Sequence, residues 1–236
     1  MIYTLIRSLY SGASIQDILP GILFTVVVVL ISLSFHEMSH AFAAYKMGDP
    51  TARNAGRLTM NPSKHLDLFG TISMMLFGFG WAKPVPVNSR YFKNPRKGIL
   101  VTSVAGPLSN LLLSFVALLI FVLMGTFLPI PYYIGTSSTF IEKVLYFTLL
   151  FFWYLHSLNL SLAIFNLLPV PPLDGSKILF MLLPPRIYFS VARYERYISL
   201  ALMVLLFTGF LSTPLSLICN WISNGMMFII SLIPGL

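Results

Sequence analysis

The sequence predicts an all-α multi-span membrane bundle of five or six transmembrane helices, with a small re-entrant or β segment beside the residues that carry its chemistry. Three observations predict it. Hydrophobic residues make up 57% of the 236 and charged residues 9%, with a mean hydropathy of +0.84; a water-soluble domain carries charge on about a quarter of its residues. Five apolar runs, roughly 21–47, 99–128, 141–168, 187–211 and 213–233, reach the ~20 residues that a helix needs to cross the hydrocarbon core. The basic residues cluster between those runs or at their edges. That is the charge bias of a membrane protein, so the net charge of +8 points to the lipid bilayer and not to nucleic acid. The longest polar stretches, about 48–65 and 82–98, are too short for a separate soluble domain, so residues 1–236 read as one domain.

Residues 1–16 are mildly amphipathic, carry Arg7, and lack the small-residue pattern of a cleavable signal. A short interfacial helix over Met1–Ser14 and a weakly packed terminus weigh about equally there. Between the first two long runs lies a shorter one, Leu66–Trp81, with Gly70, Gly78 and Gly80. It reads as a re-entrant or strand-like segment, because irregular backbone at membrane depth survives only where protein or a water-filled cavity satisfies it. Charge agrees. Nine Lys and Arg from Lys46 to Lys97, and a second group from Lys177 to Arg196, fall on one side only if Leu66–Trp81 does not cross. That side is then cytoplasmic. Five crossings follow, with the N-terminus outside and the C-terminus inside.

The first run contains Phe35-His36-Glu37-Met38-Ser39-His40. On a helix His36 and His40 are one turn apart and share a face, where two imidazoles can hold one Zn²⁺ while Glu37 reaches a metal-bound water. Zinc lowers the pKa of that water toward about 7, and a carboxylate can then take its proton. A buried polar residue bonded to a neighbouring helix explains one histidine in an apolar span. It does not explain two histidines and a glutamate at metal spacing, each charge costing about 2.5–3.5 kcal/mol on insertion scales. The single cysteine, Cys219, excludes an internal disulfide and a cysteine zinc site and reads as a packing residue.

A catalytic zinc site needs a third protein ligand. The soluble patterns fail: Lys46 stands six residues after His40, and the next glutamate is Glu142. Asp49, His65, Asp67, His156 and Asp174 are left. Asp174 is the best placed, since an apolar helix ends at Pro169, Pro171 and Pro172 and the carboxylate follows. Prolines favour extended backbone, which could fold back beside the zinc helix. On the residues alone, however, Asp174-Gly175 reads first as a turn or as the N-cap of a helix near Ser176–Leu183.

His36–His40 taken with Asn166–Gly175 resembles the site-2 protease family, the intramembrane metalloproteases of peptidase family M50. The likeness extends through Gly56–His65, Trp81–Val87 and Ala105–Asn110, and is strongest to compact bacterial or archaeal members without PDZ or CBS domains. The resemblance implies zinc on His36, His40 and Asp174, one ion per chain, with Glu37 as catalytic base and Asn166 holding substrate backbone or the developing oxyanion. From the residues alone, Asn166 divides evenly between that role and a bond across helices. His65 could orient a ligand or line the water route, Asn110 reads as packing near the site, and 76–81 with 84–87 resembles a sheet whose open edge takes an extended substrate.

The expected function is zinc-dependent endopeptidase cleavage in or near transmembrane segments of other membrane proteins, in the cell membrane of a prokaryote. The alternative is a membrane metal-ion transporter, since intramembrane His and Asp also mark ion pathways. Against it stand the absence of paired inverted repeats and of a second acidic or histidine-bearing span apart from that of His156, the one extra titratable group deep in a span, which reads as a bonded packing residue.

Overall fold

The computed structural model describes residues 15–67, 69–70, 73, 81–131, 138–184 and 193–235. These form two compact units, Met1–Gly106 and Pro107–Leu236.

In the first unit, helix α1 (Ile15–Lys46) carries the His-Glu-His segment. Its apolar part, Gly21–Lys46, is long enough to cross a bilayer. It stops at Gly48, whose φ of +108° is open to glycine at little cost. The Gly48 N–H donates to Tyr45 O (3.0 Å) and the Asp49 N–H to Ala44 O (2.9 Å), the Schellman pattern that satisfies the last carbonyls. Lys46 in the last turn complements the dipole. A polar loop follows, with the short helix α2 (Thr51–Asn54) and two 3-10 turns, Pro62–Lys64 and Ser89–Tyr91. Asn61 and Asn88 cap those turns by accepting from the N–H two residues on.

Asp49 ties this loop together. Its buried carboxylate accepts from the Thr51 N–H (2.9 Å) and, across 39 residues, from the Asn88 N–H (2.6 Å). Further in, Leu66 and Ala82 form an isolated antiparallel bridge, and the Lys83 N–H donates to His65 O (2.7 Å). The expected re-entrant or β segment lies largely outside the described residues. Among those described there is no strand, and 83–87 is irregular.

Helix α3 (Pro95–Phe127) begins with proline at its first position, where the missing N–H costs nothing. The boundary between the units falls within it, just before Pro107. In the second unit, α4 (Phe140–Asn166) opens on a capping box, Thr139 with Glu142. Then come α5 (Asp174–Leu182), α6 (Glu195–Phe207) and α7 (Ser212–Ser231). Leu118, Leu160, Ile164, Met226 and Ile230 form the core between α3, α4 and α7. His156 threads the same interface. One ring nitrogen bonds Ser114 (Oγ 2.8 Å, O 3.1 Å) and the other Ser223 Oγ (3.0 Å), the side-chain bonding that holds helices where lipid is as apolar as their own surfaces.

Four described helices are long and apolar enough to cross: Gly21–Lys46, Pro95–Phe127, Phe140–Asn166 and Ser212–Ser231. No more than 33% of any of their most apolar stretches is buried, so lipid must cover the rest, and the chain is an integral membrane protein. The expected run 187–211 is helical over Glu195–Phe207, about 20 Å at 1.5 Å per residue and short of a crossing by itself; residues 185–192 lie outside the described chain. The proline segment also differs from expectation. Residues 167–173 make successive turns and not an extended arm, closed by Val170 N–H to Leu168 O (2.8 Å) and Leu173 N–H to Val170 O (3.0 Å).

Candidate metal centre

On α1 the helical repeat brings His36 and His40 together with their Nε2 atoms 3.0 Å apart and their rings nearly perpendicular, at 86°. Both are buried. His40 Nδ1 donates to the main-chain carbonyl of Thr102 (2.6 Å), near the start of α3. That bond places the proton on Nδ1 and leaves Nε2 as the lone-pair atom, the arrangement of a metal-ligating histidine. Two imidazoles on one tetrahedral zinc, each about 2.0–2.1 Å from it, have nitrogens about 3.3 Å apart. The pair fits zinc.

Two residues that sequence reasoning did not assign to the site complete this wall. Thr102 acts through its carbonyl, so no side-chain signal could have revealed it. Gly106, one turn further along α3, lies so close to both imidazoles that a Cβ would collide with His40 Nε2 and His36 Cε1, the latter at 2.6 Å. The Gly106-Pro107 pair was legible as a close approach of helices, but not what is approached. Glu37 lies between the histidines in sequence and is half-buried. Among the described residues its carboxylate accepts no hydrogen bond, which suits a base.

In the second unit, Asp174 is the first residue of α5, with Leu173 at the cap position. A carboxylate in the first turn is favoured by the helix dipole. It is buried, and Oδ1 accepts from Lys177 Nζ at 3.1 Å. Gly175 explains how the helix starts so soon after the prolines: a Cβ there would strike the carbonyl oxygens of Leu167 and Leu168. Asn166 ends α4, half-buried, and its Nδ2 donates to Leu162 O at 2.9 Å. One amide proton is thus held by its own helix, and the other is left for a second acceptor.

The other ligand candidates are engaged elsewhere. Asp49 and His156 serve the bonds described above. Asp67 Oδ1 accepts from the Gly70 N–H (2.9 Å). His65 is fully buried, and its Nε2 donates to Thr59 O (2.8 Å) within its own loop. Asn110 is fully buried as well, and its amide makes no hydrogen bond among the described residues.

Comparison with known proteins agrees with this chemistry. The family model described as Peptidase family M50 matches residues 24–209. YwhC of Bacillus subtilis (strain 168), provisionally named a zinc metalloprotease, is 43% identical over 185 residues, covering 78% of this chain and 80% of that protein. Rip2 of Mycobacterium tuberculosis (strain H37Rv), with the same provisional name, is 28% identical over 202 residues, 83% of this chain and 71% of Rip2. A Methanocaldococcus jannaschii protein, again so named, is 31% identical over 165 residues, 66% of this chain and 72% of its own length. No solved structure gives a significant match.

Proposed function

This chain belongs to peptidase family M50, and from that premise we propose that it is a zinc-dependent intramembrane endopeptidase that cuts a peptide bond in or near the transmembrane segments of other membrane proteins. That it is a zinc metalloprotease follows from the family and its relatives. One observation carries the finer reading: a buried pair of imidazole nitrogens 3.0 Å apart, one ring oriented by a backbone carbonyl, next to a glutamate inside an apolar helix. Reagents placed within a span act on substrates that share the bilayer.

His36, His40 and Asp174 would hold the zinc ion, one per chain. When bound, zinc supplies Lewis-acid activation of water and of the scissile carbonyl. The protein's own residues do the rest. Thr102 O fixes the His40 ring, and Gly106 leaves the imidazoles room. The Glu37 carboxylate takes the proton of the attacking water and passes it to the leaving amine. Asn166 Nδ2, with one proton uncommitted, donates to the substrate carbonyl as negative charge grows. A substrate helix hides its carbonyls in internal bonds, so it unwinds locally before attack.

We further propose five crossings, with the run 187–211 supplying one of them and both basic clusters facing the cytoplasm of a prokaryotic cell membrane. The Leu66–Ala82 bridge supports this, because a segment whose two ends pair leaves and returns on one side. Incubating purified protein with a panel of membrane-protein fragments, with and without chelator, tests the function. The expected result is a chelator-sensitive product cut within or beside an apolar segment. Zinc flux into liposomes with no cleavage of any fragment would instead establish a metal-ion transporter.

A further inference from the structure

We propose that the start of α6 is a binding site for an anionic glycerophospholipid, with the phosphate between Arg193 and Arg196 and an acyl chain along Leu200 and Met203. A cavity of about 640 Å³ opens on this part of the second unit, and Arg193, Glu195, Arg196, Ser199, Leu200 and Met203 line it. Arg196, Leu200 and Met203 stand four and three residues apart and so share one face of α6; Arg193 stands just before the helix. That face is graded. The two cations come first, and no charged residue occurs from Tyr197 to Phe207. Tyr194 and Tyr197 are exposed beside the arginines, and tyrosine collects where headgroups meet hydrocarbon. Met203 lies about 10 Å further along the axis than Arg196, at 1.5 Å per residue. Headgroup and chain of a phospholipid follow one another in the same order.

The charges choose the ligand. Neither arginine has an ion-pair or hydrogen-bond partner among the described residues. Two guanidiniums and the Glu195 carboxylate leave one positive charge on the wall, the complement of a single phosphodiester. Guanidinium meets phosphate through two parallel N–H bonds, and that geometry suits a fixed headgroup. Glu195 only accepts hydrogen bonds, so it favours a headgroup with hydroxyl donors, such as glycerol. Choline offers no donor and brings a cation of its own. Ser199 joins this wall to the rest of the second unit. Its Oγ lies 2.8 Å from Glu195 O and 3.4 Å from Pro171 O, in the turns that lead to Asp174. A lipid seated here therefore stabilises more of the unit than α6 alone.

None of this depends on the peptidase reading, and the test needs no cleavage. Native mass spectrometry of the full chain in detergent, titrated with phosphatidylglycerol or phosphatidylcholine, reads binding directly. Phosphatidylglycerol should bind saturably, and phosphatidylcholine about tenfold more weakly. Arg193→Gln and Arg196→Gln should each weaken phosphatidylglycerol about fivefold and together about thirtyfold, as expected for basic residues at a lipid surface. Met203→Asn should weaken it as well, by spoiling the wall for the chain. Lys93→Gln with Arg96→Gln removes the same charge from the other basic cluster and should change nothing. The two arginines are exposed, so in lipid-free detergent their variants should unfold at the temperature of the unsubstituted chain. Only the latter should gain stability from phosphatidylglycerol. Equal binding of the two lipids, equal loss in the Lys93 and Arg96 variant, or unchanged binding without Arg193 and Arg196 would each overturn the site. Displacement of the lipid by millimolar inorganic phosphate would also overturn it, since the pocket would then hold free phosphate and no chain.

Discussion

Two buried imidazole sites in this molecule look alike in sequence and differ in chemistry. Each places histidine in a long apolar helix, in contact with residues from a neighbouring one. His156 spends both ring nitrogens on serines, Ser114 and Ser223, and so closes a polar network between three helices. His40 spends one nitrogen on the Thr102 carbonyl and turns the other toward His36. A buried histidine with both nitrogens bonded to hydroxyls is a fastener. One with a carbonyl behind it and another imidazole in front is set up to bind a metal. The distinction lies in what the second nitrogen meets, not in burial, since both sites are buried.

That comparison can be broken most severely at the ligands. His36→Ala, His40→Ala and Asp174→Ala should each lose zinc by metal analysis, and with it all cleavage. Full zinc in the Asp174 variant would move the third ligand elsewhere, with His65 the first to examine. Glu37→Gln comes next: it should retain zinc and lose about 10²–10⁴ in rate, because an amide cannot accept the water's proton. Near-normal turnover in that variant would remove Glu37 from the mechanism. Gly106→Ala pushes a methyl against both rings, and zinc affinity measured by chelator competition should fall about tenfold to a hundredfold. An unchanged affinity would show that α3 yields easily at that point. The smallest effect belongs to the fastener. His156→Ala should bind zinc at full stoichiometry and lose about 1–3 kcal/mol of stability from its stranded serines, read as a lower unfolding temperature. Zinc loss there would erase the difference between the two sites.

Much of this was legible in the sequence because it depends on spacing. Apolar runs of more than 20 residues located the four described helices that are long and apolar enough to cross, and a four-residue interval placed the two histidines together. Asp174 is a ligand candidate only through the resemblance; on its own it reads as a turn residue or a helix N-cap, and it stands as the first residue of α5. The proline segment was misread as extended: three prolines restrict the backbone but do not choose between an arm and consecutive turns. Two contributors left no signal of their role. Thr102 works through a main-chain carbonyl that every residue possesses. Arg57 counts as one more basic loop residue until its carbonyl partners, Lys64 and Lys83, are seen.

The Asp49 tie has a consequence for how the polar loop acquires its shape. It joins residues 39 apart, and the Arg57, His65 and Lys83 bonds lie inside it. The two closures are nested, so the inner one roughly halves the length of free chain that the outer one must gather. Each halving of a flexible loop is worth about 0.6 kcal/mol of chain entropy. Neither tie therefore acts alone: each lowers the entropic cost of forming the other. An insertion between Leu66 and Ala82 would lengthen the loops that both ties close, one between Lys83 and Asn88 would lengthen the outer loop alone, and one outside the span from Asp49 to Asn88 would lengthen neither.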